Sequence, residues 1–348
     1  MSIEILIIFL FSLVFLFFAR IVAKKVGLVD KPNHRKCHQG LIPLVGGISV
    51  YASICFAFLS SSQNIPHFRL YLVCAGVLVL IGVLDDRFDL SIKIRALVQA
   101  LVGIMMMVYA GLYIYSFGHV FGSWELVLGH FSCVITLLSV WALINAFNMI
   151  DGIDGLLGSI SCISFSALGI LLYQKNYFEV ASWCFTMIAA IIPYILLNLG
   201  LLGHRYKVFM GDAGSTLIGF TTMWLLLQTT QGISHPIKPV TALWIIAIPL
   251  IDMIAIMYRR LRKGMNPFLP DRQHIHHLIM RAGFTSKQAF ILITLIAVLL
   301  TAIGMMGEYL TFMSEWIMLL LFLLVFLVYS YCIKQAWRVA RFIKRVKR

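Results

Sequence analysis

The sequence predicts an all-α, polytopic integral membrane protein, and two observations carry that reading. Hydrophobic residues make up 61% of the chain and charged residues only 12%. The apolar residues also fall into runs of about twenty, the length a helix needs to cross a hydrocarbon core of roughly 30 Å. About eleven such runs are predicted: 1–20, 44–62, 68–84, 92–114, 131–150, 156–173, 178–197, 213–229, 240–258, 288–306 and 312–333. The first lacks a basic leader and a small-residue cleavage site before Arg20, and carries Glu4, so it reads as a retained span. The seven cysteines form no CxxC pair and lie mostly in apolar runs, which predicts reduced, packed thiols.

Eleven spans put the termini on opposite sides. Loops on the side of the tail hold 25 of the 28 Lys and Arg, and the other side keeps only Arg69, Lys175 and Lys238. The positive-inside rule then places the N-terminus in the periplasm and the C-terminus in the cytoplasm. Residues 1–333 are predicted to form one transmembrane domain, with the cytoplasmic segments of interest at 20–43, 85–95, 145–155, 203–215 and 259–287. Residues 334–348 form a basic tail, in which cations interleave with Trp337, Val339, Phe342 and Ile343 as in an interfacial helix. The net charge of +14 is accounted for by topology and anionic lipid, and nucleic acid is not expected as a partner.

The acids are distributed more tellingly than the bases. All nine Asp fall in or beside the predicted cytoplasmic segments, whereas all five Glu are external or at external helix ends. Orientation rules do not require this, because acids contribute little to topology. Short carboxylates on a basic face suit a site that holds metal and anions together.

In chain order, the loop LVDKPNHRKCHQGLIPLVGG offers Lys31, Arg35, Lys36, His34 and His38 with the Gly46-Gly47 pair, a composition suited to phosphate or to a plain topogenic loop. Next, in DDRFD, Asp85, Asp86 and Asp89 would crowd one another on a helix, so a positive group must sit among them. Arg87 is one solution, and a hard cation such as Mg²⁺ the other.

The stretch NAFNMIDGIDG has no basic residue near it. On a helical turn, Asp151 and Asp154 would share a face, with Asn145 and Asn148 a turn earlier. VFMGDAGS places Asp212 at a helix entrance, as an N-cap or as a site residue. Asp252 lies inside a span and should face the bundle interior and a partner. Arg259 to Lys287 combines Arg260 with His274, His276 and His277, which suit contact with a sugar or diphosphate better than zinc, because no cysteine is near.

Together, DDRFD, NAFNMIDGIDGL, VFMGDAGS and PDRQHIHH resemble the polyprenyl-phosphate N-acetylhexosamine-1-phosphate transferases, of glycosyltransferase 4 type. LVDKPNHRKCHQGLIPLVGG and HIHH are most similar to the bacterial branch that acts on undecaprenyl phosphate. The resemblance implies Mg²⁺-dependent transfer of GlcNAc-1-phosphate from UDP-GlcNAc to undecaprenyl phosphate, with Mn²⁺ as a substitute metal. The products would be undecaprenyl-diphospho-GlcNAc and UMP, at the first inner-membrane step of O-antigen and enterobacterial common antigen (lipopolysaccharide) synthesis.

It further implies that Asp85 and Asp86 serve metal and acceptor phosphate, that Asp212 is a metal ligand, and that Phe209 stacks on uracil. Asn148, Asp151 and Asp154 would line the nucleotide site, and His274, His276 and His277 the donor-side loop. Lys36, His38 and Arg260 are further substrate-binding candidates from their basic loops, and which cation in 31–38 meets phosphate stays open. Family members dimerise, so a homodimer is implied as well. HIHH and Gln39 depart from the muramoyl-pentapeptide branch and argue against that donor. The competing class is an ion-coupled secondary transporter, which would place its acids near the midplane and show inverted repeats.

Overall fold

The computed structural model describes residues 2–30, 40–60, 65–232, 235–265, 274–310 and 313–346, with side chains to residue 335. Lys36 and His38 lie outside the described residues. The chain is built of helices: α1 Ser2–Val26, α2 Gly46–Ser60, α3 Phe68–Phe88, α4 Ile92–Ala110, α5 Ser132–Ile150, α6 Leu156–Gln174, α7 Phe178–Asn198, α8 Gly211–Thr230, α9 Pro239–Ile245, α10 Ala247–Arg262, α11 Ile275–Arg281, α12 Ser286–Tyr309 and α13 Glu315–Val346. A two-residue antiparallel ribbon, β1 Val29–Asp30 with β2 Ile42–Pro43, is the departure from an all-α chain.

Every apolar run read from the sequence is helical, but the runs are not eleven equal spans. Among the described residues eight helices are long and apolar enough to cross a membrane, or nine if one bent pair is a single span. α2 is too short. α8 is not among the eight, and it is the most enclosed: all but three of its 20 residues are buried, against α2, α3 and α5. Its composition follows from that position. Thr221, Thr222, Thr229 and Thr230 each donate to the carbonyl four residues back, so these hydroxyls are satisfied within the helix itself.

The expected span 240–258 is instead broken, with α9 and α10 bent by 83°. Pro249 explains the break, since it has no N–H for the Ile245 carbonyl and its ring crowds that oxygen. Ser164 of α6 donates to the orphaned carbonyl at 2.9 Å. Because of the bend, Asp252 does not lie along a straight span as the sequence suggested.

Helix ends follow local chemistry. Ser91 caps α4 by accepting from the Ile94 N–H, Thr285 and Gln288 form a capping box on α12, and Gly111 closes α4 in the left-handed region. The ends of the bundle differ in kind. At one, Glu308 accepts from Lys175, from the Lys238 N–H and from Thr241, tying α6, α9 and α12 together. At the other lie the acidic segments.

Candidate active site

Three sequence-distant segments meet at the acidic end: the close of α3, the turn after α5, and residues 207–210 running into the start of α8. α3 runs to Phe88, and Asp89 ends it in the left-handed region, its N–H donating to the Asp85 carbonyl. Asp89 is therefore an exposed helix terminus and stands apart from the other two acids of its motif.

A cation that the sequence reading did not single out sits among these acids. Arg87 turns away and donates to the Gly27 carbonyl. Arg95, on the first turns of α4, donates to Asp85 Oδ2 at 2.6 Å and lies 3.7 Å from Asp212 Oδ2. Asp85 is buried, and its other oxygen accepts the Leu90 N–H at 2.8 Å. Arg95 thus links the Asp85 and Asp212 carboxylates.

Asp86 has a different task. Its oxygens accept the backbone N–H groups of Asp212 at 2.9 Å and Ala213 at 3.4 Å. It thereby supplies from α3 the cap that α8 lacks within its own sequence, since Met210 makes no capping bond there. Gly211 is required at this junction: its φ is +75°, and a Cβ would run into the Asp86 carboxylate. Asp212 is thus not an N-cap. Its Oδ1 accepts from Asn148 Nδ2 at 2.5 Å, and the same amide donates to Ser215 at 2.9 Å. Asn145 instead donates to the Trp141 carbonyl on its own helix. A small cleft opens here, lined among others by Asp85, Arg95, Gln99, Asn145, Asn148 and Asp212.

Asp151 to Gly155 form the turn between α5 and α6, as the loop between the runs 131–150 and 156–173 implied, and not the helical turn on which the two acids would share a face. Asp154 is neutralised by Lys207 at 2.6 Å, a base 53 residues away. Lys207 Nζ also lies 5.4 Å from the centre of the Phe209 ring. Asp151 has no such help: burial first, then the charges of Asp212 and Asp154, push its pKa up to about 7. An acid with a raised folded pKa loses stability as pH climbs from the unfolded value near 4 through 7, because the unfolded chain gives up its proton first. Asp151→Asn should therefore unfold at a higher temperature than the parent at pH 8 and at an equal one near pH 4. Equal melting at both values would contradict the assignment.

Asn198 holds the site together and was not singled out from the sequence, where an Asn at the end of an apolar run looks like an ordinary terminus. Its side chain accepts the Gly155 N–H at 2.6 Å and donates to the Val208 carbonyl at 2.8 Å, joining the acidic turn to the segment carrying Phe209. Asn198→Leu leaves both backbone groups unpaired in a buried place, at about 1–3 kcal/mol each. A melting point in detergent lowered by several degrees is the expected result.

The Gly46-Gly47 pair does not present its amides to a ligand. Gly46 N–H donates to the Phe209 carbonyl and Gly47 N–H to that of Met210, both at 3.0 Å. A Cβ on Gly47 would meet the backbone of Gly214, so the pair lets α2 dock on the start of α8.

On the other side of the turn, His276 is fully buried against Gly152, where a Cβ would overlap its ring. Burial, with the nearby charges of His277 and His274, lowers its pKa to about 2, so it acts as a neutral imidazole. The rings of His276 and His277 lie 4.2 Å apart. His274 bonds to Asp252, which has the buried partner its position demanded. Arg260 is buried on α10 two turns beyond Asp252.

Residues 68–230, which carry DDRFD, the Asp151 turn and Asp212, match the glycosyl transferase family 4 profile. With relatives 75% and 71% identical along its whole length, the chain belongs to that family. The first relative, from Yersinia pestis, aligns over 348 residues, 100% of this chain and 95% of its own. The second, from Escherichia coli strain K12, aligns over 347 residues with the same coverage. A Pasteurella multocida relative is 53% identical over 351 residues, covering 100% and 98%. All three are named undecaprenyl-phosphate alpha-N-acetylglucosaminyl 1-phosphate transferase.

Proposed function

We propose that the protein transfers GlcNAc-1-phosphate from UDP-GlcNAc to undecaprenyl phosphate, giving undecaprenyl-diphospho-GlcNAc and UMP. The observation that carries this reading is the convergence of Asp85, Asp86, Asn148, Asp151, Asp154, Phe209 and Asp212 at one end of a helical bundle, in a chain whose relatives are named for that chemistry. A phosphate oxygen of the lipid attacks the β-phosphorus of UDP-GlcNAc in line, and the bond from that phosphorus to the bridging oxygen breaks, releasing UMP. The reacting groups are anions, so the work of the site is neutralisation and positioning. Arg95 and Lys207 supply fixed positive charge, and Phe209 a stacking face for uracil. The acceptor phosphate has a second pKa near 6 and is largely ionised at pH 7, so attack needs little help from a base.

Among the described residues no three of His, Cys, Asp and Glu converge into a metal cage. That suits Mg²⁺, which takes one or two carboxylates and completes its shell with phosphate and water. Asp85 and Asp212 fit as those two, being adjacent and already sharing one cation; Asp86 shapes the start of α8 beside them. A bound Mg²⁺ would neutralise the diphosphate and the departing UMP. The excess of Lys and Arg on one side supports a cytoplasmic site and a periplasmic N-terminus, and the proposed reaction would stand in the bacterial inner membrane, at the opening step of O-antigen and enterobacterial common antigen synthesis. Clustering of the acids at one bundle end speaks against the transporter.

Purified protein offered undecaprenyl phosphate with UDP-GlcNAc, UDP-GalNAc or the muramoyl donor should release UMP with the first, in a Mg²⁺-dependent way and without a membrane gradient. No release from UDP-GlcNAc would refute the reading.

A further inference from the structure

The last long helix reaches the histidine loop through a buried carboxylate. Asp252 is 2% exposed and accepts three hydrogen bonds: from His274 Nδ1 at 2.9 Å, from the Ile275 N–H at 3.1 Å and from the Tyr329 hydroxyl at 2.7 Å. Those donors come from the start of α11 and from α13, while Asp252 itself sits just past the break between α9 and α10. A carboxylate only accepts, so the proton of the His274–Asp252 bond is on Nδ1, and Nε2 is the nitrogen left to the ring. The His274 ring lies parallel to that of His276, 5.9 Å away at 7°, and His276 packs on Gly152 beside Asp151. A continuous series of contacts thus joins Tyr329 to the acidic turn.

We propose that Asp252 and Tyr329 are positioning residues for the donor side of the site: they hold His274 in one tautomer and ring orientation, and seat the histidine loop against the Asp151 turn. This rests on the donor role proposed for that loop. A buried carboxylate satisfied by three donors is unlike a surface ion pair, because each bond is fixed by packing and removal of any one leaves the others misdirected. Tyr329 makes the cleaner test, since Phe keeps its volume and removes only the hydroxyl.

In full-length protein, Tyr329→Phe should raise KM for UDP-GlcNAc roughly 3–10-fold, about the effect of one net hydrogen bond, and leave KM for undecaprenyl phosphate unchanged. Asp252→Asn should lower kcat/KM by roughly 10–100-fold, the usual scale for a residue that orients a site histidine. In a His274→Gln background the Tyr329→Phe effect should vanish, because its route is removed. An equal effect in both backgrounds would mark a general structural role and overturn the proposal. So would wild-type kinetics for Tyr329→Phe.

A second readout needs no turnover: the Nδ1–H resonance of His274 in ¹⁵N-histidine-labelled protein, identified by its loss in His274→Gln. It should shift in Tyr329→Phe and be lost in Asp252→Asn, and an unmoved signal in both would overturn the anchoring. Failure of UDP-GlcNAc as donor would show as absent UMP release in the parent protein while this signal stayed intact, so the two failures are distinguishable.

Discussion

Asp212→Asn should lower UMP release by roughly 10²–10³-fold, the scale for losing one preorganised charge at a reacting centre, with little change in thermal unfolding. The substituted amide keeps an oxygen for Asn148, so the packing survives, but the site loses a carboxylate that faces Arg95 and Asp85. Asp86→Asn should behave differently although the residue is a neighbour. Its carboxylate accepts two amides of α8, and an NH₂ group directed at either of them repels where the oxygen attracted. That variant should lose activity together with about 1–2 kcal/mol of stability, as for a helix cap lost. Paired assays of UMP release and unfolding in detergent separate the cases, and a wild-type rate for Asp212→Asn would refute the site assignment.

Gly152→Ala carries the second large effect. The added methyl group overlaps the His276 imidazole, and His276 is only 1% exposed, so it cannot withdraw into solvent. Overpacking of this kind costs about 1–3 kcal/mol, and here the strain separates the histidine loop from the turn that holds Asp151. Turnover should fall at least tenfold, by the 1.4 kcal/mol per decade relation, and the melting point should fall with it. Combining Gly152→Ala with His276→Ala should recover the melting point without recovering activity. Parent-like behaviour of Gly152→Ala would show that the two segments do not press on each other in the working enzyme.

The sequence located the acids but not what neutralises them. Asp85, Asp86, Asp151, Asp154 and Asp212 stand out because carboxylates beside glycine or a second Asp at the ends of apolar runs demand a reason, and the bundle does bring them together. Arg95 and Lys207 stayed hidden among bases that topology alone explains, since a pairing such as Lys207 with Asp154 spans 53 residues and leaves no local periodicity. Asn198 was hidden for a similar reason, as both of its partners are backbone groups that only the fold assembles. The i,i+3 spacing of Asp151 and Asp154 fits a helical turn or a tight turn equally, and the structure makes it a tight turn ending at Gly155, φ +78°. The break in the span at 240–258 did have a signal, Pro249, but proline within an apolar run is compatible with a continuous helix in a membrane when a neighbour serves the orphaned carbonyl. Ser164 serves it here, and the helix bends nonetheless.

The enclosure of α8 bears on how the protein is made. A segment that is not apolar enough to enter lipid alone must be received by helices already in place, and those are α2, α3 and α5, all earlier in the chain. Its first turn is completed by a carboxylate from α3, and Asn148 of α5 is bonded to Asp212 on arrival. Insertion of α8 and creation of the acidic pocket are therefore one event. A chain interrupted before residue 211 would hold most of the charged residues yet no working centre, which spares the cell a half-made catalyst during synthesis.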